Sequence, residues 1–258
     1  MEHTVNKFGA IIPKKITNSY LKFATEIHNS EILIILLFFG GEYIWENIED
    51  VRERLSELYS DPGNEIAENL TKKIKSGELD EHLAIEKYED FYGQMSYARA
   101  IDNVLTYFKD ILGEVIIKTP EILKSKETER LDFILNFDNI DDLKIALSEK
   151  KIEALFYAGI DKIESYFSQR LGVELFETQT DKKEFGQAVK NRNLIVHNRG
   201  IISKEYFKEF PESGLNINDR LKFGYLDISR VNIILINFVA RLDFKLAKKF
   251  SLDWKENK

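Results

Sequence analysis

The chain has 258 residues, 43% hydrophobic and 31% charged, with a net charge of −7 and no cysteine. That size gives material for one large domain or two modest ones; the missing cysteines exclude disulfides, thiol catalysis and thiolate-held zinc or iron–sulfur clusters. The net charge excludes general polyanion binding by the whole chain, but residues 1–180 carry 21 Lys and Arg against 34 Asp and Glu (−13), while residues 181–258 carry 16 against 10 (+6). A local contact with nucleic acid is therefore permitted in the last part of the chain.

Leu, Ile, Lys and Glu dominate and proline is scarce, which favours helix throughout. Residues 1–19, with Pro13, predict an extended lead-in. A short helix follows over Tyr20–His28, then a second, capped by Asn29 or Ser30, carrying the apolar run Ile32–Phe39 and ended by Gly40-Gly41. Eight apolar residues are too few to span a bilayer, and Met1-Glu2-His3-Thr4 lacks the layout of a signal peptide. The expectation is a cytoplasmic protein with no membrane partner. Ile44, Ile48, Val51 and Leu55 give the next helix, to Tyr59, and Asp61-Pro62-Gly63-Asn64 is a turn. Helices over 65–76 and 78–92 precede an interruption at Gly93, and another spans 96–112. Pro120 opens a helix reaching Leu135. A short helix, 141–149, leads to a long one, 151–171, ended by Gly172. Asp181 caps the next helix and Gly200 stops it. Residues 201–222, with Pro211 and Gly214, read as a loop with one short helical turn, and a last helix runs from Asp227 or Ser229 to Phe250. The fold class is all-α: a helical region over 1–95 of unknown role and a helical bundle over 96–258, or one continuous domain.

Potential chemistry concentrates in Asn191-Arg192-Asn193-Leu194-Ile195-Val196-His197-Asn198-Arg199-Gly200. At about 100° per residue, Arg192 falls on the apolar stripe of Phe185, Ala188, Val189, Ile195 and Val196. A guanidinium there is expected to be partly buried against a carboxylate or a second charge-relieving group; as a structural ion pair its partner would be an acid such as Glu153 or Glu164 on the preceding long helix. Asn193 and His197 share another face, and Leu194 is apolar opposite the stripe, so this helix is central in its bundle or lies at a subunit interface. Arg192 and His197 stand about 140° apart. Either the arginine stem brings its head round, or two copies of the helix meet across a dimer axis. His82 and Glu86 are four apart, half of a metal site, but no second histidine accompanies them.

In these residues the chain resembles the HEPN superfamily, helical bundles whose ribonuclease members carry an arginine, four to six residues, and a histidine. Arg192 and His197 match with four between, Asn193 supplies the polar residue after the arginine, and a long helix follows; the resemblance covers roughly residues 100–258. It implies a HEPN-type bundle and a metal-independent endoribonuclease, without metal or other cofactor, acting as a toxin or phage-defence effector. The ribose 2′-OH would attack the adjacent phosphate and leave a 2′,3′-cyclic phosphate. His197 would move the proton, Arg192 would hold the charged phosphate, and Asn193 would orient His197 or bind phosphate. Arg199 would add a phosphate contact. The expected partners are a second copy completing a composite site, RNA as substrate, and an antitoxin or defence-system protein. Some HEPN toxins have a tyrosine two residues after the histidine, the target of a nucleotidyltransferase antitoxin; Arg199 stands there instead. The rival reading is a non-catalytic HEPN-type module for dimerisation or for binding a partner or RNA.

Overall fold

The computed structural model describes residues 3–124 and 128–256, with the side chains of Phe38, Ile85 and Glu86 left out of the description. The fold is all-α. The elements are β1 (His3–Val5), β2 (Ile11–Pro13), β3 (Lys15–Ile16), α1 (Asn18–Glu46), α2 (Ile48–Leu58), α3 (Glu65–Lys75), α4 (Glu89–Lys118), α5 (Leu131–Ile134), α6 (Ile140–Tyr157), α7 (Ile160–Tyr166), α8 (Gln179–Asn198), α9 (Lys204–Glu209), α10 (Tyr225–Phe250) and β4 (Lys255–Glu256). The expected lead-in is in fact built: β1 and β2 form a hairpin, and β3 pairs antiparallel with β4, tying the start of the chain to its end.

α4 is the axis of the bundle. Its buried positions Ile101, Val104, Phe108, Ile111, Leu112 and Val115 recur at three- and four-residue intervals on one broad face. Against them lie Phe23 and Ile27 of α1, Phe167 and Leu171 after α7, Phe185 of α8, and Leu235, Val239 and Leu246 of α10, in one continuous core. α4 runs through residue 95, and α1 belongs to the same core. Gly93 does not interrupt α4; it is buried within it. A Cβ there would stand 1.9 Å from the backbone oxygen of Phe223, so this glycine allows two backbones to touch.

The start of α1 is fastened by a buried carboxylate. Thr17 is the N-cap, accepting from the Tyr20 N–H. The Thr17 hydroxyl and backbone N–H donate to the two oxygens of Asp243 on α10 (2.5 and 3.2 Å), and the Tyr107 hydroxyl of α4 donates to Oδ1 (3.1 Å). Three elements thus meet on one side chain, which is 3% exposed. Burial pushes its carboxyl up to about 6, against the opposing pull of the Thr17 and Tyr107 hydrogen bonds.

Several expected boundaries move. Gly40-Gly41 do not end a helix, and Asn29 and Ser30 cap nothing: α1 is one helix of 29 residues. Tyr20, Phe23, Ile27 and Ile34 keep its inner face on the core, which outweighs about 1 kcal/mol per interior glycine. The Ile32–Phe39 run therefore sits in a helix that is long and apolar enough to cross a membrane by length and composition, although the run alone is too short. The helix expected over 78–92 is two 3-10 turns, Asp80–His82 and Ile85–Tyr88, ahead of α4. Pro120 opens only a 3-10 turn, Pro120–Leu123, and part of the helix expected there, residues 125–127, lies outside the described residues. No break occurs near residue 150. α6 continues to Tyr157, and the chain turns at Gly159, whose φ of 89° suits glycine. Gly172, at φ 59°, does stop the segment after α7. Thr178, not Asp181, caps α8; Asp181 completes a capping box by accepting from the Thr178 N–H. α10 begins at Tyr225, with Gly224 as its N-cap, rather than at Asp227 or Ser229.

Candidate functional site

α8 carries the arginine, amide and histidine, and three groups fix its orientation. Phe185 anchors its first half among Phe108, Phe176 and Phe238, with ring centroids 5.5–5.9 Å away. One turn before Arg192, Gln187 donates to the Tyr206 hydroxyl of α9 (3.1 Å), and that hydroxyl donates to Asn191 Oδ1 (2.6 Å). Asn191 Nδ2 donates in turn to the Tyr97 hydroxyl of α4 (3.3 Å). The Tyr97 ring stacks on Phe223 at 4.1 Å, and burial pushes its hydroxyl up to about 12, so it stays protonated. α8 is thereby locked between α4 and α9 immediately beside the arginine.

Arg192 is half-buried, as its place on the apolar stripe requires. Its partner is neither Glu153 nor Glu164. Arg192 Nε donates to Asp102 Oδ1 of α4 at 2.7 Å, with the two side chains 25% and 35% exposed. Glu164 pairs with Lys182 instead. Arg192 Nη1 donates to Asn193 Oδ1 at 3.0 Å. Asn193 therefore steadies the arginine, and no hydrogen bond among the described residues joins it to His197 of the same chain. Nη2 of Arg192 donates to nothing among the described residues, so the guanidinium is oriented yet keeps donors for an incoming anion.

His197 and Arg199 sit at the exposed end of α8. His197 makes no hydrogen bond or ion pair among the described residues. Arg199 adopts the left-handed conformation at φ 54°, and its N–H and that of Gly200 both reach the Leu194 carbonyl. Gly200 is required here: it lies at φ 74°, and a Cβ would come within 2.8 Å of the Gln94 side chain. Gln94 of α4 donates to the Leu221 carbonyl (2.7 Å), and Leu221 N–H donates to the Gly200 carbonyl (2.8 Å). This antiparallel pairing, continued by an Ile201–Arg220 bridge, brings Arg220 and Lys222 alongside the Arg199–Ile201 turn. Arg199, Arg220 and Lys222 are all exposed, and Lys222 pairs with Asp90 of α4 at 3.5 Å. Arg220, Lys222, Asp102, Tyr97 and Tyr206 were not singled out by the sequence, and Asn191 stood in the motif without a role. Only the +6 charge of the last part of the chain pointed towards the two cations.

The arrangement holds an oriented guanidinium, a solvent-facing imidazole five residues on, and a cationic rim at the helix end. Elsewhere, His82 is exposed, its Nδ1 3.4 Å from Lys87 Nζ, while the Glu86 side chain lies outside the described residues. No cluster of three or more His, Asp or Glu with metal-site geometry occurs among the described residues. Tyr157 is fully exposed and Tyr166 packs against the core. No protein-family model matches the chain, and neither a curated protein nor a solved structure matches it.

Proposed function

We propose that the chain is a metal-independent endoribonuclease of HEPN type, cytoplasmic and homodimeric, serving as a toxin or phage-defence effector. The observation that carries this reading is the state of the arginine: Asp102 and Asn193 orient Arg192 while its Nη2 faces no partner among the described residues. An oriented cation with unused donors suits a phosphate whose charge grows in the transition state. His197, exposed and unengaged, is the group to take the 2′-OH proton or protonate the leaving oxygen. Arg199, with Arg220 and Lys222 beside it, holds the flanking phosphates. A second copy of α8 would bring its own Arg192 and His197 to a composite site.

The test is to incubate the protein with total RNA in chelator and analyse the product ends. Wild type leaves 2′,3′-cyclic phosphates, and His197→Ala loses about 100-fold or more in rate with an unchanged melting curve. Intact RNA with wild type, or equal cleavage by His197→Ala, rejects the reading.

A specific observation favours a second reading. The Arg192–Asp102 pair joins α8 to α4, as a purely structural ion pair would. On that reading the chain is a non-catalytic HEPN-type module for dimerisation or for binding a partner or RNA. Arg192→Ala would then lower the melting temperature or shift the sizing profile, with no cleavage to lose.

A further inference from the structure

We infer that the outer face of α1 docks an amphipathic helix of a partner protein, one with aliphatic residues in four–three spacing and lysine or arginine on its flank. The inner face of the first part of α1, marked by Tyr20, Phe23, Ile27 and Ile34, is buried in the bundle, while Trp45 further along the same side is 59% exposed. With Ile34 as the inward direction, Ile32, Leu36, Phe39 and Tyr43 all fall within about 40° of the opposite side at 100° per residue. They are 42%, 62%, 61% and 57% exposed. Their spacing of four, three and four is that of a helix–helix seam, which a partner helix fills with knobs between them. Gly40 lies at the margin of this stripe with nothing within 4 Å of where a Cβ would stand, so a second backbone can approach closely there. A soluble surface does not leave a continuous apolar stripe of this length without a use.

Charge selects the occupant. Between Lys22 and Arg52 the chain has no lysine or arginine. Glu26 is already answered by Arg99 and Asp50 by Arg54. Glu42 and Glu46, exposed at the margin of the stripe beside Phe39 and Tyr43, pair with no cation among the described residues. They also stand at the end of α1, where the helix dipole is negative and the last turn holds no basic residue. A lysine- or arginine-flanked helix answers all of this at once. A second copy of the face would add further acids and no cation. Crossing a bilayer, which the length and composition of α1 permit, would pull Tyr20, Phe23, Ile27 and Ile34 out of the core, and a helix lying on a bilayer surface carries basic residues at its margins, the reverse of Glu42 and Glu46. The inference does not depend on the ribonuclease reading, since it uses none of the residues of α8.

The experiment uses the full chain and two labelled synthetic peptides of about four heptads. Both have leucine at the seam positions; one is lysine-flanked and the other glutamate-flanked. By fluorescence anisotropy, the lysine-flanked peptide binds at least about tenfold more tightly and weakens with salt. Leu36→Glu/Phe39→Glu, on exposed positions, abolishes binding with the melting curve retained. Glu42→Lys/Glu46→Lys reverses the order of the two peptides. The inference is overturned by equal binding of both peptides or by no binding of the lysine-flanked one. It is also overturned by self-association of the chain that Leu36→Glu/Phe39→Glu removes, or by co-sedimentation with phosphatidylglycerol vesicles.

Discussion

Asp243 and Asp102 do the same task in two regions of the molecule by opposite means. Each is a carboxylate that receives a remote segment: Asp243 takes the start of α1, Asp102 takes α8. Asp243 is buried and faces only neutral donors, the Thr17 amide and hydroxyl and the Tyr107 hydroxyl. Its carboxyl is pushed up to about 6 because neutral hydrogen bonds do not offset its loss of water. Asp102 stays within reach of water and meets a full cation. The first arrangement fixes a segment permanently; the second leaves a guanidinium that can engage something else. The difference separates a structural anchor from a site, although sequence alone shows two aspartates on two helices.

The largest expected effect comes from Gly93→Ala, where the new methyl collides with the Phe223 carbonyl. It should cost about 3 kcal/mol, and lower the melting temperature by roughly 9 °C, by prising the 219–224 segment off α4. A loss below about 1 kcal/mol would mean that this segment shifts freely and that the Arg220–Lys222 rim is not held in place.

Asp243→Asn comes next, at about 2 kcal/mol, because an amide presents N–H groups where the Thr17 amide needs an acceptor. The same residue sets a pH dependence. Its carboxyl is raised in the folded state, so its contribution to stability is full below the ordinary carboxylate range and lost as pH rises through about 6. The wild type should therefore gain stability on going from pH 7.5 to pH 5, by about 1.4 kcal/mol. Asp243→Asn should flatten that slope in urea titrations at each pH. An unchanged slope would show that Asp243 is not the group responsible. Below that range the trend reverses, as Glu177, Glu205 and Glu212, whose carboxyls are held low, become protonated.

Arg192→Ala should cost about 1 kcal/mol, less than the loss at Asp243, since the abandoned Asp102 is rescued by water. A loss as large as that of Asp243→Asn would erase the contrast and favour the structural reading of the motif. His197→Ala is the smallest change in stability, within about 0.5 kcal/mol, because its side chain is exposed and makes no hydrogen bond or ion pair among the described residues. Its effect is to be read in RNA cleavage alone.

What the chain dictates locally could be read without the structure. Helical spacing marked α4, α8 and α10 as helices, and the position of Arg192 on the apolar stripe of α8 called for a carboxylate or another charge-relieving group, of which Asp102 is the first kind. Gly172 and Gly200 terminated their segments as expected because a left-handed turn favours glycine wherever it occurs. Asp102 as the partner was not legible. It lies 90 residues away, and no local rule ranks it above Glu153 or Glu164. The glycines of α1 and α4 misled for the same reason. Gly40 and Gly41 carry a local penalty that the packed inner face of α1 overrides, and Gly93 is set by a backbone 130 positions further on. Sequence by itself determined an all-helical chain, the face on which Arg192 sits and the basic bias of its last part. Tertiary packing alone decided which aspartate is buried and which reaches water, and which half of α1 stays uncovered. Those outcomes depend on desolvation and on contacts between segments far apart in the chain, which no local spacing encodes.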